Sequence, residues 1–85
     1  MPSTTVAVGS SVGLHARPAA VIAARAAELG SDITLAVEGE EPVDAGSALM
    51  IMTLGAEQGT EVTVEGDDEA HVAEIAGLVA QDLDA

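Results

Sequence analysis

The sequence predicts an α+β fold, an open-faced sandwich with helices on one face of a four-stranded antiparallel sheet. Short segments alternate apolar and polar residues, longer segments carry apolar residues at helical spacing, and Gly or Pro separates them. Read in order, these segments give the succession β-α-β-β-α-β-α. The length of 85 residues suits one domain over residues 1–85 with a modest core. The order of elements alone leaves the order of strands in the sheet open.

The first half of the chain predicts a strand, a long helix and a second strand. Residues 4–8 alternate and end at a Gly-Ser-Ser turn. The helix is predicted over residues 16–29, because Gly30 is typical of the position just after a helix. A second strand is predicted over residues 33–37. The buried stripe of the helix is predicted from its spacing to be Ala19, Ile22, Ala23, Ala26 and Leu29, with Arg17, Val21, Ala24, Arg25 and Glu28 facing outward.

The second half predicts two more strands and two helices. A short strand ends at Val43, and Pro42 makes it an edge strand. Ser47 caps a short apolar segment that ends at Leu54 and Gly55. Residues 61–65 alternate as a fourth strand. Asp67 or Asp68 caps the last helix, whose predicted apolar stripe is Val72, Ile75, Ala76, Val79 and Leu83.

The composition excludes several classes of function. Fifteen acidic residues stand against two basic ones, a formal net charge of −13, which argues against nucleic acid or an anionic membrane as a partner. This acidity is compatible with a salty cytoplasm or with GC-rich codon usage. The absence of cysteine excludes disulfides and thiolate–metal sites. With no signal-peptide pattern and no apolar run of membrane-spanning length, we expect a cytoplasmic protein without membrane insertion.

The segment Gly-Leu-His-Ala-Arg-Pro-Ala at residues 13–19 carries the main chemical signal. Pro18 suits the first turn of a helix, which puts His15 at or near the N-cap. Unpaired first-turn amides and the helix dipole favour an anion there, and Arg17 adds donors suited to phosphate oxygens. A neutral histidine is also a nucleophile. The residues alone leave two interpretations open, a phosphoryl acceptor and a plain helix start.

Residues 13–19 resemble the active-site signature of the HPr family, the histidine phosphocarriers of the phosphoenolpyruvate-dependent sugar phosphotransferase system. Residues 46–55, Gly-Ser-Ala-Leu-Met-Ile-Met-Thr-Leu-Gly, resemble the family's second motif. The resemblance implies a sheet with the first strand beside the fourth, then the second, then the third. It implies that His15 takes a phosphoryl group at Nδ1 from enzyme I and passes it to enzymes IIA. Arg17 and the amides of Ala16 and Arg17 would hold that group, with no cofactor or metal.

The same resemblance implies a surface for partners and a site of regulation. The implied apolar docking patch consists of Ala20, Ala48, Leu49 and Met52, whereas Met50, Ile51 and Leu54 are expected in the core. Ser47 matches a serine that an ATP-dependent kinase modifies in many Gram-positive relatives. We favour its plain N-cap role, because no basic residue precedes it. The expected state is a monomer.

The chain departs from the family pattern at two places. Val12 stands where a small polar residue often supports the histidine ring, and Ala24 and Ala27 stand where lysines are frequent. We therefore expect weak electrostatic steering toward enzyme I. His71 is expected to be a surface histidine with no catalytic part. Two alternatives stay open: a carrier of a nitrogen-regulatory or dihydroxyacetone branch, and a regulatory binding module that acts through Ser47.

Overall fold

Three helices and four strands alternate in the computed structural model, which describes residues 2–81. Their order, β-α-β-β-α-β-α, confirms the predicted succession. The elements are β1 Ser3–Ala7, α1 Ala16–Leu29, β2 Ile33–Val37, β3 Val43–Asp44, α2 Ala48–Thr53, β4 Glu61–Gly66 and α3 Glu69–Ala80. None of these helices combines the length and the apolarity needed to cross a lipid bilayer.

The sheet has the strand order β1-β4-β2-β3, with every neighbouring pair antiparallel. This is the order that the family resemblance implies. In the register, Val64 of β4 lies between Thr4 of β1 and Leu35 of β2. The two-residue strand β3 forms one edge directly after Pro42, which confirms the predicted edge strand.

Within residues 2–81, the helices cover one face of the sheet and leave the other open. Along β4, Val62 and Val64 are buried, whereas Glu61 and Glu65 are exposed. Since side chains alternate between the two faces of a strand, this pattern separates a core face from an open face. α3 packs against β1 and β4, and α1 packs against α2 and α3. The predicted sandwich with one open face is confirmed.

The core consists of aliphatic side chains, as expected for a chain without aromatic residues. Burying a single Val, Leu or Ile side chain contributes about 1.5–3 kcal/mol to the stability of the fold, so a modest number of such side chains can form the core. The predicted stripe of α1 is confirmed except at Leu29, which is only partly buried. Of the stripe predicted for the last helix, Leu83 lies outside the described residues. The largest fully buried side chains include Ile22, Leu35, Ile51, Val62, Val64, Val72, Ile75 and Val79.

The helix ends agree with the predicted caps. Gly30 adopts a left-handed conformation, and its amide donates to the carbonyls of Ala26 and Ala27 at the end of α1. Of the two candidates at the start of α3, Asp68 is the N-cap. The prediction for the first strand was wrong by one residue. Val8 follows β1, where it is buried and donates its amide to the carbonyl of Thr60.

The expectation that Met50 belongs to the core was wrong, because its side chain is 42% exposed. α2 has six residues, and Ile51 is its one fully buried side chain. Successive residues of a helix lie about 100° apart, so a helix that buries Ile51 turns Met50 toward solvent.

Candidate functional site

His15 is the N-cap residue of α1, and its side chain is exposed. Its backbone is extended, with φ −85° and ψ −165°, and its carbonyl accepts a hydrogen bond from Ala19 N at 2.9 Å. The imidazole makes no capping hydrogen bond to the helix. The exposed ring therefore stands at the start of the helix without capping it.

The first turn of α1 combines helix amides with one basic side chain and no acidic one. Its leading amides belong to Ala16 and Arg17 and have no acceptor within the helix, while Pro18 has no N–H. No acidic residue lies in this turn, where a negative charge would offset the positive end of the helix dipole. The exposed Arg17 adds a cation to the same turn. His15, the leading amides and Arg17 thus lie at the start of one helix, and their joint role as a phosphoryl site stays a prediction.

Two main-chain hydrogen bonds hold the loop before His15. Leu14 is buried, and its amide donates to the carbonyl of Ala56 at 2.9 Å. Gly13 adopts φ +77° and donates its amide to the carbonyl of Ser10 at 3.0 Å. Sequence reasoning missed Ala56 and the buried Ser10. The glycine at position 13 was the available signal, since a positive φ favours glycine.

An exposed apolar patch lies on α2, which packs against α1. Leu49 is 69% exposed and Met52 is 38% exposed, with Ala20 exposed on α1 and Ala48 half-buried. Met50 extends the patch instead of filling the core. These five residues are called the docking patch below. Exposed apolar side chains in a cluster are typical of surfaces that bind partners.

Ser47 is the N-cap of α2, and its Oγ accepts a hydrogen bond from the amide of Met50 at 3.3 Å. The capping role favoured from the sequence is confirmed. Phosphorylation of Ser47 stays a prediction. Incubation with an ATP-dependent HPr kinase tests it by mass, and an unchanged mass would argue against a regulatory serine.

Arg25, the other basic residue, is engaged by carboxylates. Its guanidinium binds Glu74 on α3 and lies 3.7 Å from Glu28. The hydrogen bond from Arg25 holds the pKa of the Glu74 carboxyl below its ordinary value. Arg25 is half-exposed and joins two helices, which is a structural role that the outward-facing prediction did not include.

His71 differs from the expected surface histidine. It is half-buried, and its Nδ1 is hydrogen-bonded to Ser31 Oγ, with Asp68 at 3.7 Å. These contacts link α3 to the segment that follows α1. No cluster of His, Cys, Asp or Glu within residues 2–81 is arranged to hold a metal ion.

Comparison with known proteins gives one consistent result. Residues 2–81 match a family model described as the PTS HPr component phosphorylation site. The chain is 38% identical to the phosphocarrier protein HPr of Streptomyces coelicolor, covering 99% of this chain and 94% of that protein. The crystal structure of HPr-C-His from Thermoanaerobacter tengcongensis matches with a TM-score of 0.82 and 33% identity. That match covers 100% of this chain and 98% of the other.

A second solved structure, a phosphocarrier protein HPr from Bacillus anthracis, matches with a TM-score of 0.76 and 34% identity. It covers 91% of this chain and 94% of that chain.

Proposed function

The chain belongs to the HPr family of phosphocarrier proteins of the phosphotransferase system, and we propose on that premise that His15 is its phosphoryl acceptor. In this proposal, enzyme I donates the group and enzymes IIA receive it during sugar uptake. The observation that carries the proposal is the exposed His15 ring at the N-cap of α1, which makes no capping hydrogen bond to that helix end. A soluble cytoplasmic monomer with one domain over residues 1–85 is part of the same proposal.

The proposed transfer exchanges one P–N bond for another. The lone pair on His15 Nδ1 attacks the phosphorus of the donor's phosphohistidine, and the donor P–N bond breaks with its electron pair returning to the donor ring. The ring nitrogen Nε2 keeps its proton and stays outside the reaction. Transfer to an enzyme IIA is the same exchange in the opposite sense, with His15 as the leaving group. No cofactor or metal enters either step.

The surroundings of His15 suit a group that carries negative charge. The amides of Ala16 and Arg17 would donate hydrogen bonds to the phosphoryl oxygens, and the Arg17 guanidinium would offset their charge. Phosphoryl transfer depends mainly on such positioning and electrostatic stabilisation. An exposed site also suits a carrier, because the group must leave again for the next protein.

The docking patch gives the proposed partners an apolar contact beside the reacting group. Methionine side chains adapt to different shapes, which suits one surface that meets enzyme I and several enzymes IIA. The charge of the chain gives little electrostatic attraction to an acidic partner surface, since Arg17 and Arg25 are its two basic residues against fifteen acidic ones. We expect the association rate with enzyme I to change little with added salt. A steep fall with salt would contradict this part of the proposal.

Labelling with phosphoenolpyruvate and enzyme I, followed by intact mass, tests the assignment of His15. The wild-type chain and a His71→Ala control are expected to gain one acid-labile phosphoryl group. His15→Ala is expected to gain none, because it lacks the accepting nitrogen. Labelling of His15→Ala would remove His15 from the role of acceptor.

A further inference from the structure

The loop that carries His15, residues 8–15, is held by main-chain hydrogen bonds at both ends. At its start, Gly9 N donates to the carbonyl of Val79 at 3.0 Å. At its end, Leu14 N donates to the carbonyl of Ala56 at 2.9 Å, one residue before the imidazole. Between them, the Gly13 N–H donates to the carbonyl of Ser10 and closes a tight turn.

Gly13 permits the close approach on the Ala56 side. A Cβ built on Gly13 would lie 2.5 Å from Ala56 O and 3.0 Å from Glu57 Cα. Both are backbone atoms, which cannot swing aside as a flexible side chain can. Gly30 provides a natural contrast, because its φ of +69° is nearly the same and a Cβ there would meet nothing within 4 Å. Only Gly13 combines a left-handed backbone with the Ala56 contact.

No side chain from position 12 takes over the support of the ring. Val12 is 49% exposed and has neither a hydrogen-bond donor nor an acceptor in its side chain. The main-chain bond from Leu14 to Ala56 is the nearest described hydrogen bond that fixes the loop ahead of His15. The backbone that leads into His15 is therefore held by this contact.

We infer that Gly13 is a positioning residue for phosphoryl transfer, acting through the contact between Leu14 and Ala56. Without a side chain at position 13, the Leu14 amide reaches Ala56 O and sets the backbone direction in which His15 enters the helix. In the proposed transfer, this backbone direction would bring the ring nitrogen and the amides of Ala16 and Arg17 to the same phosphoryl group. This inference rests on the proposed function of His15.

The consequence is a loss of turnover without a loss of docking. A methyl group on Gly13 pushes the loop away from Ala56, and a shift of about 1 Å in a reacting group costs about 100-fold in rate. The docking patch lies on α1 and α2 and is not part of this loop. The KM of enzyme I for the carrier is therefore expected to stay near the wild-type value while kcat falls.

Gly13→Ala and Gly30→Ala form a matched pair, because both place alanine at a positive φ. Gly30 follows the 14-residue helix α1, so the whole length of that helix, about 21 Å, separates it from His15. With enzyme I turnover measured against carrier concentration, Gly13→Ala is expected to lower kcat about 100-fold, and Gly30→Ala less than about 2-fold. Hydrogen exchange is expected to show the Leu14 amide protected in the wild type and in Gly30→Ala, and unprotected in Gly13→Ala.

A second variant removes the contact without adding any atom. Replacement of the Leu14 backbone N–H by an ester oxygen deletes the donor to Ala56 O and leaves Gly13 unchanged. It is expected to lower kcat with KM unchanged, and it decides the matter if Gly13→Ala does not fold. The inference would be overturned if folded Gly13→Ala had the same kcat as Gly30→Ala. It would also be overturned if the ester variant had the same kcat as the wild type. If the wild type and Gly30→Ala both take no phosphate, the proposed function itself fails.

Discussion

The N-termini of α1 and α3 are built in opposite ways. α3 begins with Asp68, whose Oδ1 accepts hydrogen bonds from Ala70 N at 2.9 Å and His71 N at 3.2 Å, and Glu69 follows in its first turn. α1 begins with His15, which makes no capping bond, and its first turn holds Arg17 and no acid. The first turn of α3 is capped by a carboxylate, whereas α1 has neither a capping bond from His15 nor an acidic residue in its first turn.

This contrast separates stability from function. Asp68 caps two amides and places a negative charge at the positive end of the dipole, which stabilises α3. The same arrangement at α1 would fill the place that the proposed phosphoryl group needs. A local rule of helix capping is thus broken at the site where we propose that chemistry occurs, as is typical of functional positions.

Making α1 resemble α3 is expected to have the largest effect on function. His15→Asp supplies a capping carboxylate and removes the accepting nitrogen. Labelling by enzyme I is expected to disappear, while the free energy of unfolding rises by about 1 kcal/mol because the helix gains a cap. Urea unfolding and intact mass measure the two effects. A lower free energy of unfolding in His15→Asp would contradict the view that the N-terminus of α1 gains from a capping carboxylate.

Removing the cation from the first turn is expected to slow transfer without abolishing it. Arg17→Ala should lower the labelling rate about 100-fold, since one group that stabilises the transferring charge is lost. Arg25→Ala is the matched control, because Arg25 binds Glu74 and Glu28 instead of standing at the site. Equal losses in both variants would indicate a general effect of net charge and contradict the role of Arg17.

Removing the cap of α3 is expected to affect stability alone. Asp68→Ala deletes the acceptor of two amide hydrogen bonds and should lower the free energy of unfolding by about 1 kcal/mol. The labelling rate of the folded variant should match that of the wild type, because Asp68 lies at the start of α3 and His15 at the start of α1. Chemical denaturation and the labelling rate give the two readings, and a slow labelling rate would link the two helix ends.

The smallest effect is expected at the ion pair that joins α1 to α3. Arg25 lowers the pKa of Glu74 below its ordinary value of 4.5, so the pair stabilises the fold above that pH. This contribution is lost as the pH falls through the lowered pKa and the carboxyl takes up a proton. Glu74→Gln should therefore be slightly less stable than the wild type at pH 7, with the difference vanishing in acid. Melting temperatures across pH provide the test, and a constant difference would contradict it.

The sequence predicts elements best where the signal is local. The bounds of α1 follow from Pro18 near its start and Gly30 after its end, and both are short-range backbone effects. β4 follows from strict alternation in residues 61–65. Met50 was placed wrongly because a six-residue helix is too short for its spacing to define a buried face.

Two of the contacts that sequence reasoning missed join residues that are distant in the chain. Leu14 N bonds to the carbonyl of Ala56, and any residue type except proline at position 14 supplies the same donor. The bond from His71 to Ser31 likewise depends on how α3 lies against the end of α1. His15 and Arg17 could be predicted together as site residues because they are near neighbours in the chain. The main-chain contact that supports them carries no side-chain signature.

Backbone and ring nitrogen NMR shifts before and after phosphorylation test the central claim most directly. We predict that the phosphoryl group bonds to Nδ1 of His15 and that the amides of Ala16 and Arg17 show the largest shifts in the chain, as they become hydrogen-bond donors to it. A phosphorylated His15 with unchanged amide shifts at Ala16 and Arg17 would contradict the claim that the open end of α1 holds the group.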